Sequence, residues 1–135
     1  MESSATLEAK NYEALNSMDQ SEISFLAKSE EQREKVLLTS YPRSGNTLSR
    51  RYLETLSRIP TGSDCDTRRP LNKHLLEMGL TGEGQVDNTV WIVKSHYPER
   101  QGHQIFTVNK CIVVVRNPLD CFASLFNMIG TQSHD

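Results

Sequence analysis

Three short apolar runs, each followed at once by polar or turn-forming residues, constrain the fold of this chain more than any other feature. They occupy residues 36–39, 90–93 and 111–115. Short uninterrupted apolar runs are typical of strands that are buried on both faces, as in parallel sheets. Helical patterns lie between the runs, and strands that alternate with helices indicate an α/β fold. The sequence therefore predicts a three-layer architecture in which helices flank a parallel sheet.

Apolar spacing and helix-end signals place the helices. The first helix is indicated by apolar residues at helical spacing before Pro60, namely Leu48, Tyr52, Leu56 and Ile59. Residues 60–70 have the composition of a loop, and residues 71–80 fit a short helix. The last helix follows Asn117, a favourable N-cap, and Pro118, which suits the first helical position. Its apolar face is formed by Phe122, Leu125, Phe126 and Ile129.

Charge and hydropathy exclude several classes of protein. The 135 residues carry a formal net charge of -2, whereas proteins that neutralise nucleic-acid phosphates are usually basic. We therefore expect no nucleic-acid partner, and we interpret the pairs Arg50 and Arg51 and Arg68 and Arg69 as solvated surface charge. No apolar run approaches the roughly 20 residues that a membrane-spanning helix needs, and the N-terminus lacks the pattern of a secretory signal.

The cysteines indicate a reducing compartment. There are 3 of them, without CxxC spacing, which does not fit a disulfide-stapled secreted domain. Together with the missing signal pattern, this predicts a cytoplasmic location. We interpret Cys111 and Cys121 as small core residues.

Residues 41–47 form the first motif. A strand, a turn that contains Gly45 and a helix start bring several backbone N–H groups around one point, and such an arrangement binds phosphate. Arg43 adds a cation with forked donors, while Ser44 and Thr47 add hydroxyls. The alternative is an ordinary strand-to-helix turn in which Thr47 is the N-cap.

Residues 94–98, with the sequence KSHYP, form the second motif. A histidine just past a strand end is well placed as a general base, because its ordinary pKa of roughly 6.5 suits proton removal near neutral pH. Lys94 lies two residues before His96 and would point to the same side of an extended chain. The alternative is a surface histidine beside a lysine at a strand edge.

The third motif comprises residues 116–120, with Ser124 on the helix that follows. Arg116 ends an apolar strand, so the strand delivers a charge to the carboxyl edge of the sheet. Ser124 lies off the apolar face of its helix, and the two side chains are suited to share one phosphate. The alternative is a structural Arg116 paired with Asp120, and a serine on the helix surface. Ligands of open α/β sheets bind at the carboxyl ends of the strands, where all three motifs are expected.

Together these segments resemble the cytosolic-type sulfotransferases, which use 3'-phosphoadenosine 5'-phosphosulfate (PAPS). SYPRSGNTL, at residues 40–48, is similar to the TYPKSGTTW loop of that family, and KSHYP is similar to its KTHxP segment. RNPLDCFAS, at residues 116–124, matches the family pattern RNPxDxxxS at every fixed position. The resemblance covers residues 35–130 and implies a P-loop NTPase-like fold.

The resemblance also implies roles for single residues. The side chains and backbone implied in PAPS binding are Arg43, Ser44, Gly45, Asn46, Thr47, Arg116 and Ser124. The first five would hold the 5'-phosphosulfate, and the last two the 3'-phosphate. His96 would be the base that deprotonates a hydroxyl or amine acceptor for in-line attack on sulfur, with Lys94 and Arg43 stabilising the developing charge.

Two positions depart from the family pattern, since Arg43 replaces its usual lysine and Leu48 its usual tryptophan. The chain also contains no match to the RKG-type segment of the family's later half. We therefore expect either a fragment or a reduced homologue, in which residues 34–135 are the N-terminal part of a PAPS-binding domain and residues 1–33 are a polar extension. An oligomer, or a partner that covers the truncated sheet edge, fits this expectation.

Other functions remain open at this point. A catalytically inactive nucleotide-binding or interaction module would have the same motifs. A P-loop kinase would need a Lys-Ser/Thr pair after Gly45 and an acidic magnesium ligand at a strand end, and neither is present. No metal is expected, because no His/Cys cluster has ligand spacing. The acceptor is expected to be a small molecule or a glycan, and the sequence does not specify which.

Overall fold

A parallel sheet with flanking helices forms the body of the protein. The computed structural model describes residues 22–97 and 104–131. In chain order the elements are β1 (Val36–Ser40), α1 (Asn46–Ser57), β2 (Gly62–Ser63), α2 (Pro70–Glu77), β3 (Ile92–His96), β4 (Lys110–Val114) and α3 (Pro118–Thr131). The four strands are all parallel, in the order β2-β3-β1-β4. The predicted α/β fold with a parallel sheet is therefore confirmed.

β1 lies at the centre of the sheet and supplies most of its core. Val36 and Leu38 pack with Ile92 of β3, and Leu53 of α1 and Val114 of β4 pack against them. Val36 and Leu38 occupy alternate positions of β1 and therefore share one face of the strand. Leu53 of α1 packs on that face. β1 was predicted within one residue of its observed end because its apolar run coincides with the strand. Strands β3 and β4 pair along its two edges.

β3 begins two residues later and ends three residues later than predicted. Its register with β1 pairs Val36 with Ile92 and Ser40 with His96, so Lys94 and His96 belong to the strand itself. The prediction that the second motif follows a strand is therefore wrong: the motif is the strand end. Pro98 lies outside the described residues. The short strand β2 was also missed, since it lies inside residues 60–70, which have the composition of a loop.

The pair Arg50 and Arg51 is buried, and its interpretation as surface charge is wrong. Arg50 is 0% exposed, and its Nη1 lies 2.5 Å from Oε2 of Glu83. It also donates from Nε to the Thr61 hydroxyl, at 2.7 Å. Arg51 donates to the carbonyl oxygens of Met78 and Gly79. These partners, distant in sequence, replace the water that the charges lose on burial. Arg68 and Arg69 are exposed, as predicted.

The last strand and the last helix expose much of their apolar surface. Cys111 is exposed, so its interpretation as a core residue is wrong, whereas Cys121 is buried as predicted. The predicted apolar face of α3 does not pack on the sheet, because Phe122, Phe126 and Ile129 are exposed. We name the exposed apolar side chains of this region the β4–α3 surface: Ile112, Val113, Val115, Leu119, Phe122, Phe126 and Ile129.

The start of α3 is as predicted. The helix begins at Pro118, and the Asn117 side chain accepts a hydrogen bond from the Leu119 N–H at 3.0 Å, which makes it the N-cap. Residues 22–33 form neither a helix nor a strand, and the first 21 residues of the predicted extension lie outside the described residues. None of the three helices described has the length and apolarity that crossing a membrane requires.

Candidate functional site

The loop between β1 and α1 has a backbone that leaves the start of the helix open. Arg43 and Gly45 have φ angles of 68° and 95°, in the left-handed region. Gly45 is the N-cap of α1 and makes no side-chain capping hydrogen bond, so the alternative in which Thr47 caps the helix is wrong. Thr47 lies inside α1. The first N–H groups of an uncapped helix, at the positive end of its dipole, form a site suited to an anion.

The first and third motifs meet at the carboxyl edge of the sheet. Arg43 Nε donates to the Ser124 hydroxyl at 2.7 Å, and Arg43 Nη1 lies 3.8 Å from the sulfur of Met128. Arg116 Nη1 donates to the backbone oxygen of Arg43 at 3.3 Å. We call Arg43, Arg116 and Ser124 the arginine cluster. Arg116 lies two residues after the end of β4, so the prediction that it ends the strand is wrong. The cluster places two guanidinium groups and one hydroxyl, from two loops and a helix, in one partly buried region.

The remaining loop side chains hold the loop in place. Ser44 is buried, and its hydroxyl lies 3.4 Å from the sulfur of Cys121 on α3. The ring of Tyr41 meets that of Phe122 edge-on, with centroids 5.6 Å apart. α3 therefore packs on the loop mainly with the face that carries Cys121 and Ser124, and Phe122 is the residue of the predicted apolar face that also contacts the loop. Ser44 remains predicted to bind the 5'-phosphosulfate, and in this structure its hydroxyl contacts α3.

His96 ends β3 with one ring nitrogen held by Ser40. The distance from Nδ1 is 3.2 Å to the Ser40 carbonyl oxygen and 3.4 Å to its hydroxyl oxygen. A carbonyl oxygen only accepts and a hydroxyl can donate or accept, so the carbonyl contact is a hydrogen bond only in the tautomer with its proton on Nδ1, in which Nε2 is the basic atom. Ser40 in turn accepts a hydrogen bond from Asn46 Nδ2, at 3.1 Å. The geometry is that of an oriented base.

Lys94 lies in a different environment from His96. It is 5% exposed, and its ammonium group donates to the Cys65 sulfur at 3.2 Å. Burial raises the pKa of the Cys65 thiol, and the nearby Lys94 charge opposes this rise. The neighbouring Ser95 donates to Asp64 at 2.7 Å. The structure therefore brings Lys94 to the loop after β2, although it shares a strand with His96.

Ser40, Cys65 and Asp64 were missed as members of the site. Ser40 was visible only as the polar residue that follows the apolar run at residues 36–39. Asp64 and Cys65 follow a strand of two residues that has no apolar pattern, so nothing in the sequence placed them at the sheet edge. Within residues 22–97 and 104–131, the His, Cys, Asp and Glu side chains form no group that could hold a metal ion.

An apolar cleft lies at the other edge of the sheet. Its lining includes the first residues of three strands, Val36, Ile92 and Lys110, together with Leu53 and Trp91. The three motifs are at the carboxyl ends of the strands, so this cleft is separate from them. The side chains of the arginine cluster and of His96 do not line this cleft.

Comparisons of the chain with family models, with curated protein sequences and with solved structures found no match. The three motifs and their geometry therefore carry the functional conclusion.

Proposed function

We propose that this chain is the nucleotide-binding part of a PAPS-dependent sulfotransferase, with a P-loop NTPase-like fold. The observation that carries the proposal is the arginine cluster. Arg43 and Ser124 are 81 residues apart in sequence and are joined by a hydrogen bond of 2.7 Å. They belong to the two motifs that the family resemblance assigns to the two phosphate groups of one nucleotide, and one nucleotide needs both motifs at one place.

The donors of the site fit a ligand with two anionic groups. Arginine guanidinium groups bind phosphate through paired hydrogen bonds, and an uncapped helix start adds backbone donors. In the proposal, the start of α1 and Arg43 hold the 5'-phosphosulfate, while Arg116 and Ser124 hold the 3'-phosphate. Arg43 would exchange its contact with Ser124 for the ligand, which frees the Ser124 hydroxyl for the 3'-phosphate.

His96 is the proposed catalytic base. PAPS supplies the sulfonate group that is transferred to the acceptor. His96 Nε2 accepts the proton of the acceptor hydroxyl or amine, while Nδ1 remains bonded to Ser40. Proton removal by an oriented histidine near its own pKa is efficient close to neutral pH. A role for Lys94 in charge stabilisation requires that its ammonium group leave Cys65, so it is the less direct part of the proposal.

Calorimetric titration with three ligands tests the proposal: PAPS, adenosine 3',5'-bisphosphate and AMP. Binding of the bisphosphate at least tenfold tighter than AMP supports it, because a charged hydrogen bond contributes about 1.5–3 kcal/mol. Equal affinities for the bisphosphate and AMP would leave the third motif without its proposed ligand. No binding of any of the three would overturn the proposal for this chain.

An interaction module without catalysis is the second candidate. The β4–α3 surface favours it, since exposed apolar patches of this kind mark contacts with other proteins. The two candidates differ in one measurement, which is transfer of radiolabelled sulfonate to a panel of phenols, alcohols and amines. We further propose a cytoplasmic location and a small-molecule or glycan acceptor.

A further inference from the structure

Ser40 lies just before the first motif and makes two polar contacts with the ring nitrogen Nδ1 of His96. Ser40 ends β1, pairs with His96 in the register of the sheet, and is 2% exposed. Its carbonyl and hydroxyl oxygens lie 3.2 and 3.4 Å from Nδ1. The backbone N–H of Tyr97 donates to the same carbonyl oxygen at 3.1 Å, which fixes that oxygen relative to the end of β3.

The Ser40 hydroxyl is itself held by the first residue of α1. Asn46 Nδ2 donates to Ser40 Oγ at 3.1 Å, and Asn46 is 4% exposed. Its other amide atom, Oδ1, is buried without a hydrogen-bond partner among the described residues. A buried amide oxygen without a hydrogen bond lowers the stability of the fold. Stability alone therefore does not explain why an asparagine occupies this position.

We propose that Ser40 and Asn46 are positioning residues for His96. Ser40 holds the ring in the tautomer whose proton is on Nδ1, and Asn46 keeps the Ser40 hydroxyl within reach of that nitrogen. Free histidine in water favours the opposite tautomer, with its proton on Nε2. The Ser40 carbonyl oxygen, which only accepts, therefore favours the reverse of this preference, with the basic lone pair on Nε2.

The catalytic meaning of this inference rests on the proposed function, in which Nε2 takes the proton of the acceptor. The orientation of the ring does not rest on it, because the tautomer is measurable without nucleotide or acceptor. The two proposals therefore fail in different experiments.

Nitrogen-15 NMR of the full chain labelled in histidine reads the tautomer directly. The spectrum is recorded at about pH 8, above the ordinary histidine pKa of roughly 6.5, and His96 is assigned by its absence from His96→Gln. We expect an Nδ1–H signature for His96. In Ser40→Ala, which keeps the carbonyl but lacks the hydroxyl, the Nδ1–H population should fall measurably, and Asn46→Ala should show a smaller fall in the same direction.

Two further variants separate the hydroxyl from packing. Ser40→Thr restores the hydroxyl and should restore the wild-type His96 signature. Ser95→Ala removes a hydroxyl one residue from His96 that is bonded to Asp64, and it should leave the His96 signature unchanged. The inference is overturned by an Nε2–H tautomer in the wild type, by an unchanged signature in Ser40→Ala, or by equal changes in Ser40→Ala and Ser95→Ala.

Turnover then distinguishes this inference from the proposed function. Where transfer is observed, Ser40→Ala should lower kcat about three- to tenfold, the effect of one neutral hydrogen bond. Its Kd for adenosine 3',5'-bisphosphate should stay at the wild-type value. An Nδ1–H tautomer that depends on Ser40, in a chain without any transfer, counts against the proposed function alone. A tautomer independent of Ser40 counts against the positioning role even when transfer occurs.

Discussion

Arg43 combines an unfavourable backbone conformation with contacts that connect the motifs. Its φ of 68° lies in a region that costs a residue with a Cβ atom about 1–2 kcal/mol. In return, its guanidinium group bonds to Ser124 and its carbonyl oxygen accepts from Arg116. Strain held by such contacts is frequent where a loop binds a ligand. At the residue scale, the arginine cluster is therefore the feature that most needs testing.

Replacement of Arg116 by alanine should weaken binding of adenosine 3',5'-bisphosphate far more than binding of AMP. The expected loss is about tenfold or more for the bisphosphate, the effect of one charged hydrogen bond, and calorimetry measures it. Arg68→Ala is the matched control, since Arg68 is an exposed arginine paired with Asp66, and it should change neither affinity. Equal losses for both ligands in Arg116→Ala would assign Arg116 a structural role.

Replacement of His96 by alanine should lower kcat for sulfonate transfer by about 10²–10⁴, the usual contribution of a positioned general base. Nucleotide affinity should change little, because His96 acts on the acceptor. Single-turnover kinetics and a parallel binding titration give both numbers. Full turnover with lost nucleotide binding would show that His96 contacts the nucleotide and is no base.

At the scale of elements, a buried polar network joins α1 to the chain between α2 and β3. Arg50 reaches Glu83, and Glu54 accepts hydrogen bonds from the backbone and hydroxyl of Thr61. Gly82 passes close to Thr61, since a Cβ at residue 82 would collide with the Thr61 carbonyl. The helix α1, which follows the loop between β1 and α1, is therefore fixed by charges and not only by apolar packing.

Glu83→Gln should destabilise the fold by about 3–5 kcal/mol, because it leaves the buried Arg50 without its counter-charge. Urea unfolding followed by circular dichroism measures the change. Asp66→Asn is the control: hydrogen bonds from Arg68 lower the pKa of Asp66 to about 2, but solvent screens this pair because Arg68 is exposed, so its loss should change the unfolding midpoint far less than Glu83→Gln. Equal effects of the two variants would show that burial of the Arg50 pair adds nothing.

The elements were predictable from sequence where local pattern decides the structure. β1 and the start of α3 follow from an apolar run and from Asn117 before Pro118. The predicted position of β3 was too early in the sequence because its last residues, Lys94 to His96, are polar. Pairing with β1, and not an apolar pattern, makes them part of the strand. The burial of Arg50 depends on Glu83, 33 residues away, and no local pattern reports it. Ser40 was missed as a partner of His96 for the same reason, since only the strand register joins them.

At the scale of the whole molecule, the two strands that pair with β1 differ in whether another strand lies beside them. β3 has β2 beside it, whereas β4 is an edge strand in the part of the chain that the structure describes. The side chains of the β4–α3 surface lie at that edge and on the helix that follows it. An exposed apolar edge strand pairs readily with another chain, so we expect this surface to mediate association.

Phe126→Glu should reduce concentration-dependent association of the chain, which sedimentation velocity measures. Ile105→Glu is the control, since Ile105 is an apolar residue that is 99% exposed and lies before β4, outside the β4–α3 surface. It should leave association unchanged. A monomer at every concentration would remove the basis for self-association, while equal effects of both variants would point to general apolar adhesion.

The order of the strands also determines when the sheet is able to form. β1 is synthesised first and is central, but both of its neighbours come late, since Val36 pairs with Ile92 and with Lys110. Closing such long loops costs entropy before any pairing repays it, and parallel sheets of this kind fold slowly. During translation, β1 therefore leaves the ribosome without a partner and waits until β3 and β4 have been made. Its apolar side chains are a natural target for chaperones during that interval.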